Sequence, residues 1–284
     1  MSYALNLEYG NLDSESKSKQ RKRRKKNLSP IFKWTRDEKY IIEEIQKHIP
    51  KSFSSYWDAY AGGGALLFNI QSRKAVINVC DEELYNIYRV IRDNVEGLIE
   101  ELKNHKNEKE HYYEVRDKSS VEMNPVERAA RDIYLSKTCF NGFFRKDENG
   151  QFDVPFGSYK NSQVTNKIIL KGISRYLKEQ NVKLISRKFE SFADKIEEDS
   201  FVYIAPENNF EMQNFSKFQE CTRLKFICDR LNSRGVKFLI SHSNNELMHD
   251  TFRQYEIITV DANKNIRAIG SKRENPKEII IKNY

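Results

Sequence analysis

With 284 residues the chain can hold one large domain or a core carrying one insertion, and a hydrophobic fraction of 38% with 12% aromatics excludes a wholly disordered protein despite 32% charged residues. The 49 Lys and Arg outnumber the 41 Asp and Glu, giving a formal charge of +8 and a pI near 9.1, so a polyanionic partner is favoured, either nucleic acid or an anionic membrane surface. The chain has no apolar run long enough for a membrane span and no apolar segment behind its first residues, so neither a span nor a signal peptide is expected and the protein is expected inside the cell, in cytoplasm or nucleoid.

Residues 1–29 read as a basic disordered tail. Lys17, Lys19, Arg21, Lys22, Arg23, Arg24, Lys25 and Lys26 fall together with no aliphatic residue between them, and such a block repels itself. Three readings of it stay open: a solubilising tail, a phosphate-binding arm, or a nuclear import signal, which would place the protein in a nucleus. From Ile31 to Ile49 a helical repeat follows, with Ile41, Ile42 and Ile45 on one face and His48 and Pro50 closing it. Tyr56 to Tyr60 reads as a strand leading into the turn Ala61-Gly62-Gly63-Gly64-Ala65 and a short apolar helix to Ile70, and Ala75 to Cys80 reads as a second strand. That order begins a parallel, doubly wound α/β sheet, whose ligand crevice lies at the carboxyl ends of its strands. A lone glycine turn is often only a tight connection, so it does not by itself establish a cofactor.

Asp81 to Lys137 is helical in pattern, with Leu84, Ile87, Tyr88, Ile91, Val95, Leu98, Ile99 and Leu102 spaced by three and four. Strand-like runs resume at Lys183–Ser186, Phe201–Ala205, Val236–Ser241, Tyr255–Asp261 and Glu278–Tyr284, with a helix over Phe218–Arg234. The expected organisation is a core in two parts, 30–80 and 169–284, split by a helical insertion with a β-hairpin over 81–168. Cys80, Cys139, Cys221 and Cys228 show no metal-ligand spacing with one another or with the five histidines and are expected as reduced, buried thiols without metal.

The stretches Arg128-Ala129-Ala130-Arg131-Asp132-Ile133-Tyr134, Phe140-Asn141-Gly142-Phe143-Phe144-Arg145 and Gln151-Phe152-Asp153-Val154-Pro155-Phe156-Gly157-Ser158-Tyr159-Lys160-Asn161 resemble the target-recognition region of Dam-type DNA adenine methyltransferases. Phe32-Lys33-Trp34-Thr35, the glycine turn and Glu278-Ile279-Ile280-Ile281-Lys282-Asn283-Tyr284 fall in the same order, so the resemblance covers about residues 30–284. It implies a Rossmann-like methyltransferase sheet with an inserted target-recognition domain, S-adenosylmethionine as methyl donor, and flipping of an adenine out of duplex GATC, because the amine to be methylated is stacked and paired in the helix. It also implies roles for residues. Arg145 and Lys33 would read guanine edges, for which both donor types are suited. Phe140 would wedge into the duplex, Asn141 meet a phosphate and Pro155 a thymine methyl, with Lys160 a further DNA contact. The alternative for this stretch is an aromatic-rich β-hairpin turning at Asn149-Gly150 that only covers a core.

Against that pattern, the family's DPPY reads Ala205-Pro206-Glu207-Asn208. Alanine offers no acceptor to draw out the amine lone pair, and asparagine cannot stack on the flipped base as an aromatic does. The cofactor segment reads Trp34-Thr35-Arg36-Asp37-Glu38 in place of Trp-x-Gly-Gly-Lys, losing glycines that permit close approach. Val79 stands where an acid would hold a ribose, and Lys188 where an Asp would precede Phe189. Asp58, Gly62, Gly63, Gly64, Trp34 and Phe189 are therefore expected as a vestigial cofactor site, with Asp81 two residues beyond Val79. The expectation is a sequence-specific DNA-binding pseudoenzyme without a cofactor. Its alternatives are an active methyltransferase in which Glu207 or Asn208 supplies the acceptor, and an inactive subunit positioning DNA for a methyltransferase, nuclease or regulatory partner.

Overall fold

A computed structural model describes residues 28–31, 39–142, 147, 150–159, 164–206, 217–261 and 277–284. Seven strands form one sheet: β1 (Tyr56–Asp58), β2 (Ala75–Asn78), β3 (Lys183–Ile185), β4 (Phe201–Ile204), β5 (Lys237–Ser243), β6 (Glu256–Asp261) and β7 (Lys277–Lys282), in the order β3-β2-β1-β4-β5-β7-β6. The first five pair in parallel, and β7 lies antiparallel between β5 and β6. This is the expected Rossmann-like α/β fold. Its central strands are mostly apolar because helices cover both faces, with Asp58 and Asn78 as polar exceptions at the ends of β1 and β2, and β2 and β4 are buried at every position.

The alternation of side chains along a strand divides the core in two. Tyr56, Phe201, Tyr203, Leu239 and Ile280 join one cluster, while Val202, Ile204, Phe238, Ile240, Ile279 and Ile281 join the other. The first cluster takes in α1 (Lys39–Lys47), α2 (Ala65–Ile70) and the helices between β2 and β3. The second lies under α8 (Glu190–Ala193), α9 (Lys217–Ser233) and α10 (Glu246–Thr251).

The helical stretch after β2 resolves into α3 (Glu82–Asp93), α4 (Val95–Leu102), α5 (Lys109–Asp117) and α6 (Pro125–Thr138), and α7 (Lys167–Glu179) leads back to β3. Local chemistry sets each break. The Asp81 carboxylate accepts from the Leu84 amide at 2.8 Å to start α3, and Asn94 closes α3 and caps α4. Asn124 and Glu127 form a reciprocal capping box ahead of α6, with proline at its first position. The sequence pattern did not indicate α7, α8 or α10, and α7 begins within the stretch expected as insertion. Cys139 and Cys228 are buried as expected, but Cys221 is half-buried and Cys80 is exposed, because Cys80 follows the end of β2 at the sheet's edge. Among the described residues no helix is long and apolar enough to cross a membrane.

Between α4 and α5 the His105 ring stacks on Tyr134 at 4.6 Å, with its Nδ1 3.3 Å from Nε2 of His111, beside a cavity of about 310 Å³. Burial, then the charge of His111, pushes the His105 pKa down from 6.5 to about 4. A histidine whose folded pKa is depressed binds protons more readily when unfolded, so its stabilising contribution is present above 6.5 and is lost as pH falls towards 4. In urea titrations over that window the wild-type midpoint is expected to fall more steeply than that of His105→Phe, which keeps the stacked ring. Parallel curves would remove His105 as the cause.

Candidate active site at the carboxyl edge of the sheet

In this sheet the strand order runs outward from β1 through β2 to β3 on one side and through β4 to β5 on the other. The connections diverge between β1 and β4, and at such a switch point the crevice beyond the carboxyl ends stays open. Three backbone bonds hold the strand ends there: Ala59 N–H to Tyr203 O at 2.9 Å, Ala61 N–H to Asn78 O at 2.9 Å, and Val79 N–H to Ile185 O at 2.8 Å.

Asp58 ends β1 with only 4% of its surface exposed, and the Tyr56 hydroxyl donates to its Oδ2 at 3.0 Å. A buried carboxylate is costly unless hydrogen-bonded. Burial first, then the charge of Asp58, raises the Tyr56 pKa well above the ordinary phenol value, so this donor keeps its proton. Beyond Asp58 the glycine turn is fixed from two directions: the buried Tyr88 donates to Gly62 O at 2.7 Å, and Ile31 N–H to Gly63 O at 3.1 Å. Gly64 starts α2 at φ +82°, and a Cβ there would lie 2.5 Å from the Phe68 ring and 2.7 Å from the Tyr88 hydroxyl. This position therefore requires glycine.

Asn78 ends β2, and its side chain bonds Ala59 and Arg187. Val79 is buried and carries no acceptor, whereas Asp81 reaches α3 through one oxygen. Phe189 is buried, with its ring edge-on to Tyr60 at 5.9 Å and 5.3 Å from Phe192, and Lys188 beside it is exposed. β4 ends at Ile204, and Ala205 and Pro206 follow, the first buried and the second half-buried. Glu207, Asn208, Lys33 and Trp34 lie outside the described residues, as does the basic block Lys17–Lys26.

A second group of expected residues sits past the end of α6. Phe140 opens a 3-10 turn with 55% of its surface exposed. Asn141 stands at φ 59°, in the left-handed region, where its N–H donates to the Tyr159 hydroxyl at 2.8 Å. The returning chain is tied alongside: Phe140 N–H to Pro155 O at 2.7 Å, Gly157 N–H to Thr138 O at 2.8 Å, and the buried Tyr112 hydroxyl to Val154 O at 2.6 Å. Phe140, Asn141 and the exposed Pro155 thus share one hydrogen-bonded double loop, in which Cys139 and Phe156 form an isolated bridge. A turn at Gly150, closed by Asp147 N–H to Gln151 O at 2.7 Å, links the two arms, but no strand forms among their described residues. Arg145, Lys160 and Asn149 lie outside the described residues.

The sequence reading did not single out Asn78, Tyr88 or Tyr159. A polar residue inside the apolar run 75–80 is the signal that marks Asn78. Tyr88 carries none, because its position in the α3 repeat reads as ordinary core.

Residues 39–266 match the family described as D12 class N6 adenine-specific DNA methyltransferase. The chain is 34% identical over 274 residues to the type II methyltransferase M1.LlaDCHI of Lactococcus lactis subsp. cremoris, covering 91% of this chain and 96% of that protein. It is 32% identical over 290 residues to the type II methyltransferase M.MjaIII of Methanocaldococcus jannaschii, covering 90% and 99%. The DNA adenine methylase of Haemophilus influenzae is 24% identical over 269 residues, covering 88% and 92%. These matches overturn the expectation of a pseudoenzyme: relatives aligned along nearly their whole lengths are named as methyltransferases, which points to an enzyme. The expectation that no cofactor is used falls with it, since the family implies S-adenosylmethionine. The departures at Ala205–Asn208, Trp34–Glu38, Val79 and Lys188 are outweighed by similarity along nearly the whole chain.

Gly64→Ala is expected to destabilise the fold by about 2–4 kcal/mol, from left-handed strain together with the clash against Phe68 and Tyr88. At Gly235, also left-handed at φ +71° but with nothing within 4 Å of a Cβ, the same change meets only the strain, roughly 1–2 kcal/mol. Urea unfolding of both variants checks this, and equal losses would rule the clash out.

Proposed function

Because the chain belongs to the D12 class of N6 adenine-specific DNA methyltransferases, we propose that it methylates the exocyclic amine of adenine in a duplex site of the GATC type, using S-adenosylmethionine. The observation that carries this reading is the buried Asp58 carboxylate beside a side-chain-free turn at the switch point of the sheet. That donor set suits a ligand with an ammonium group and a sulfonium: the carboxylate supplies opposite charge in a dry setting, and the glycines let backbone come close. Bound there, S-adenosylmethionine supplies a methyl group activated by the neighbouring sulfonium. Asp58 and the 61–64 turn hold its amino-acid end, and Asp81 takes the place of an acid at Val79 on the ribose side.

The adenine amine is a poor nucleophile because its lone pair is spread into the ring, so a hydrogen-bond acceptor must localise it as the new bond forms. Ala205 has no side-chain acceptor, and in this reading Glu207 or Asn208 provides one; the proton the amine loses passes to Glu207 or, where Asn208 is the acceptor, to water. On the DNA, Arg145 and Lys33 read guanine edges and Phe140 fills the gap left by the flipped base. Asn141 meets a phosphate, Pro155 a thymine methyl, and Lys160 and the basic block the backbone charge. The insertion over 81–168 is the part of the chain we assign to target recognition, with the basic tail 1–29 as its arm.

Incubation with tritiated S-adenosylmethionine and a GATC duplex is expected to label adenine at N6, and absence of label from the wild-type chain would sink the proposal. Replacing Glu207 and Asn208 together by alanine is expected to lower kcat by roughly 100-fold or more, with duplex affinity retained. Undiminished turnover would place the acceptor elsewhere. In binding selections Arg145→Ala is expected to relax preference at one base pair, a discrimination of about 1–3 kcal/mol. Deleting residues 17–26 should instead weaken binding to all sequences alike and flatten the salt dependence. An unchanged preference in Arg145→Ala would remove that residue from the readout.

A further inference from the structure

Asn78 is 1% exposed, although a carboxamide is expensive to bury unless its polar atoms find partners. Its Nδ2 donates to the carbonyl of Ala59 at 2.9 Å and to that of Arg187 at 2.8 Å, while its Oδ1 accepts from the Arg187 amide at 2.9 Å. Two carbonyls on one side and an N–H on the other fix which way the amide faces. The pair of bonds to Arg187 imitates a strand ladder, carrying the pairing of β2 with the β3 segment past Ile185, where the regular register stops. The bond to Ala59 runs the opposite way, to the residue after Asp58. One side chain therefore joins the end of β2, the chain entering the glycine turn, and the segment 187–189 leading to Phe189. The thiol of Cys80, 3.5 Å from Nδ2, is only a weak third acceptor.

No other natural side chain reproduces this set. Aspartate keeps the bond from the Arg187 amide but turns a charge towards two carbonyl oxygens, and leucine removes all three bonds, leaving the Arg187 carbonyl only the weak thiol of Cys80. Building on the reading of this crevice as the S-adenosylmethionine site, we propose that Asn78 is a positioning residue for that cofactor, setting the spacing between the glycine turn and the 187–189 segment before the ligand arrives. It acts through Ala59 and Arg187. Among the described residues the double loop of Phe140 and Asn141 makes no bond to Asn78, so duplex affinity is expected to be independent of it.

Calorimetry of the full chain with S-adenosylmethionine, duplex-binding titrations and amide hydrogen exchange test this on Asn78→Ala and Asn78→Asp. Both variants are expected to bind S-adenosylmethionine about ten-fold more weakly, a shift in KM rather than in kcat at saturation, with duplex affinity within about two-fold of wild type. Faster exchange is expected at Arg187 and Ala61 but not across the central strands. Wild-type-like cofactor affinity in both variants, or equal loss of cofactor and DNA affinity, overturns the assignment. Should Asn78→Ala fail to fold, Asn78→Asp, which retains one bond to Arg187, carries the same comparison. A wild-type chain that does not bind S-adenosylmethionine overturns the proposed function and this role with it, whereas a binding wild type with unaltered variants overturns Asn78 alone.

Discussion

A parallel sheet gathers all its carboxyl ends along one edge, and neighbouring ends lie only about 4.8 Å apart. At the centre of this sheet β1 and β4 are neighbours whose chains leave towards opposite flanks. The polypeptide there must turn away in both directions and leaves a gap between the departing segments. Those segments carry backbone N–H and C=O groups that no further strand satisfies, and each needs a partner. The molecule meets that demand with side chains: Asn78 for Ala59 and Arg187, and Tyr88 for Gly62. The same bonds that repair the edge of the sheet give the crevice a fixed shape, so hydrogen-bond satisfaction and site preorganisation are one requirement here.

The double loop past α6 is built on another footing. The turn at Phe140 and Asn141 follows a capped helix and is held to the returning arm by backbone bonds and one phenol. Such a loop can present an exposed aromatic at little cost in mobility, because the flanking Phe152 and Val154 are buried anchors. The two regions share no element: one hangs on strand ends, the other on a helix end. Change at the strand ends can therefore leave the loop past α6 in place, and the reverse.

Most of the sheet was legible because buried parallel strands are written as apolar runs, and the observed bounds fall within about two residues of those expected at β2, β4, β5 and β6. Asp58 and the glycine turn were legible for a related reason, an acid and three glycines at the end of an apolar run. The helix α7 was not, since its residues follow the aromatic-rich stretch 140–161 and fall across the expected boundary at 168 between insertion and core. Asn78 and Tyr88 were hidden for a different reason. Their partners are main-chain carbonyls and amides, which have no letter in a sequence; the polar residue in the apolar run 75–80 marks Asn78 without naming what it ties, and nothing marks Tyr88. The expected loss of chemistry rested on Ala205–Asn208 together with Trp34–Glu38, Val79 and Lys188, and similarity to methyltransferases along nearly the whole chain overturns it.

The strand β7 is the last of the seven to be made, yet it lies between β5 and β6 and pairs with both. Beside it Asn283 bonds Phe238, Val236 and Asn232, and the Tyr284 hydroxyl reaches back to His48 O at 2.6 Å. During translation, β6 has no neighbour to join until the residues of β7 emerge from the ribosome. Until then the open flank of β5 is an unpaired edge, which invites association with other chains. Closure of this half of the sheet thus waits on β7, the one strand that both β5 and β6 need.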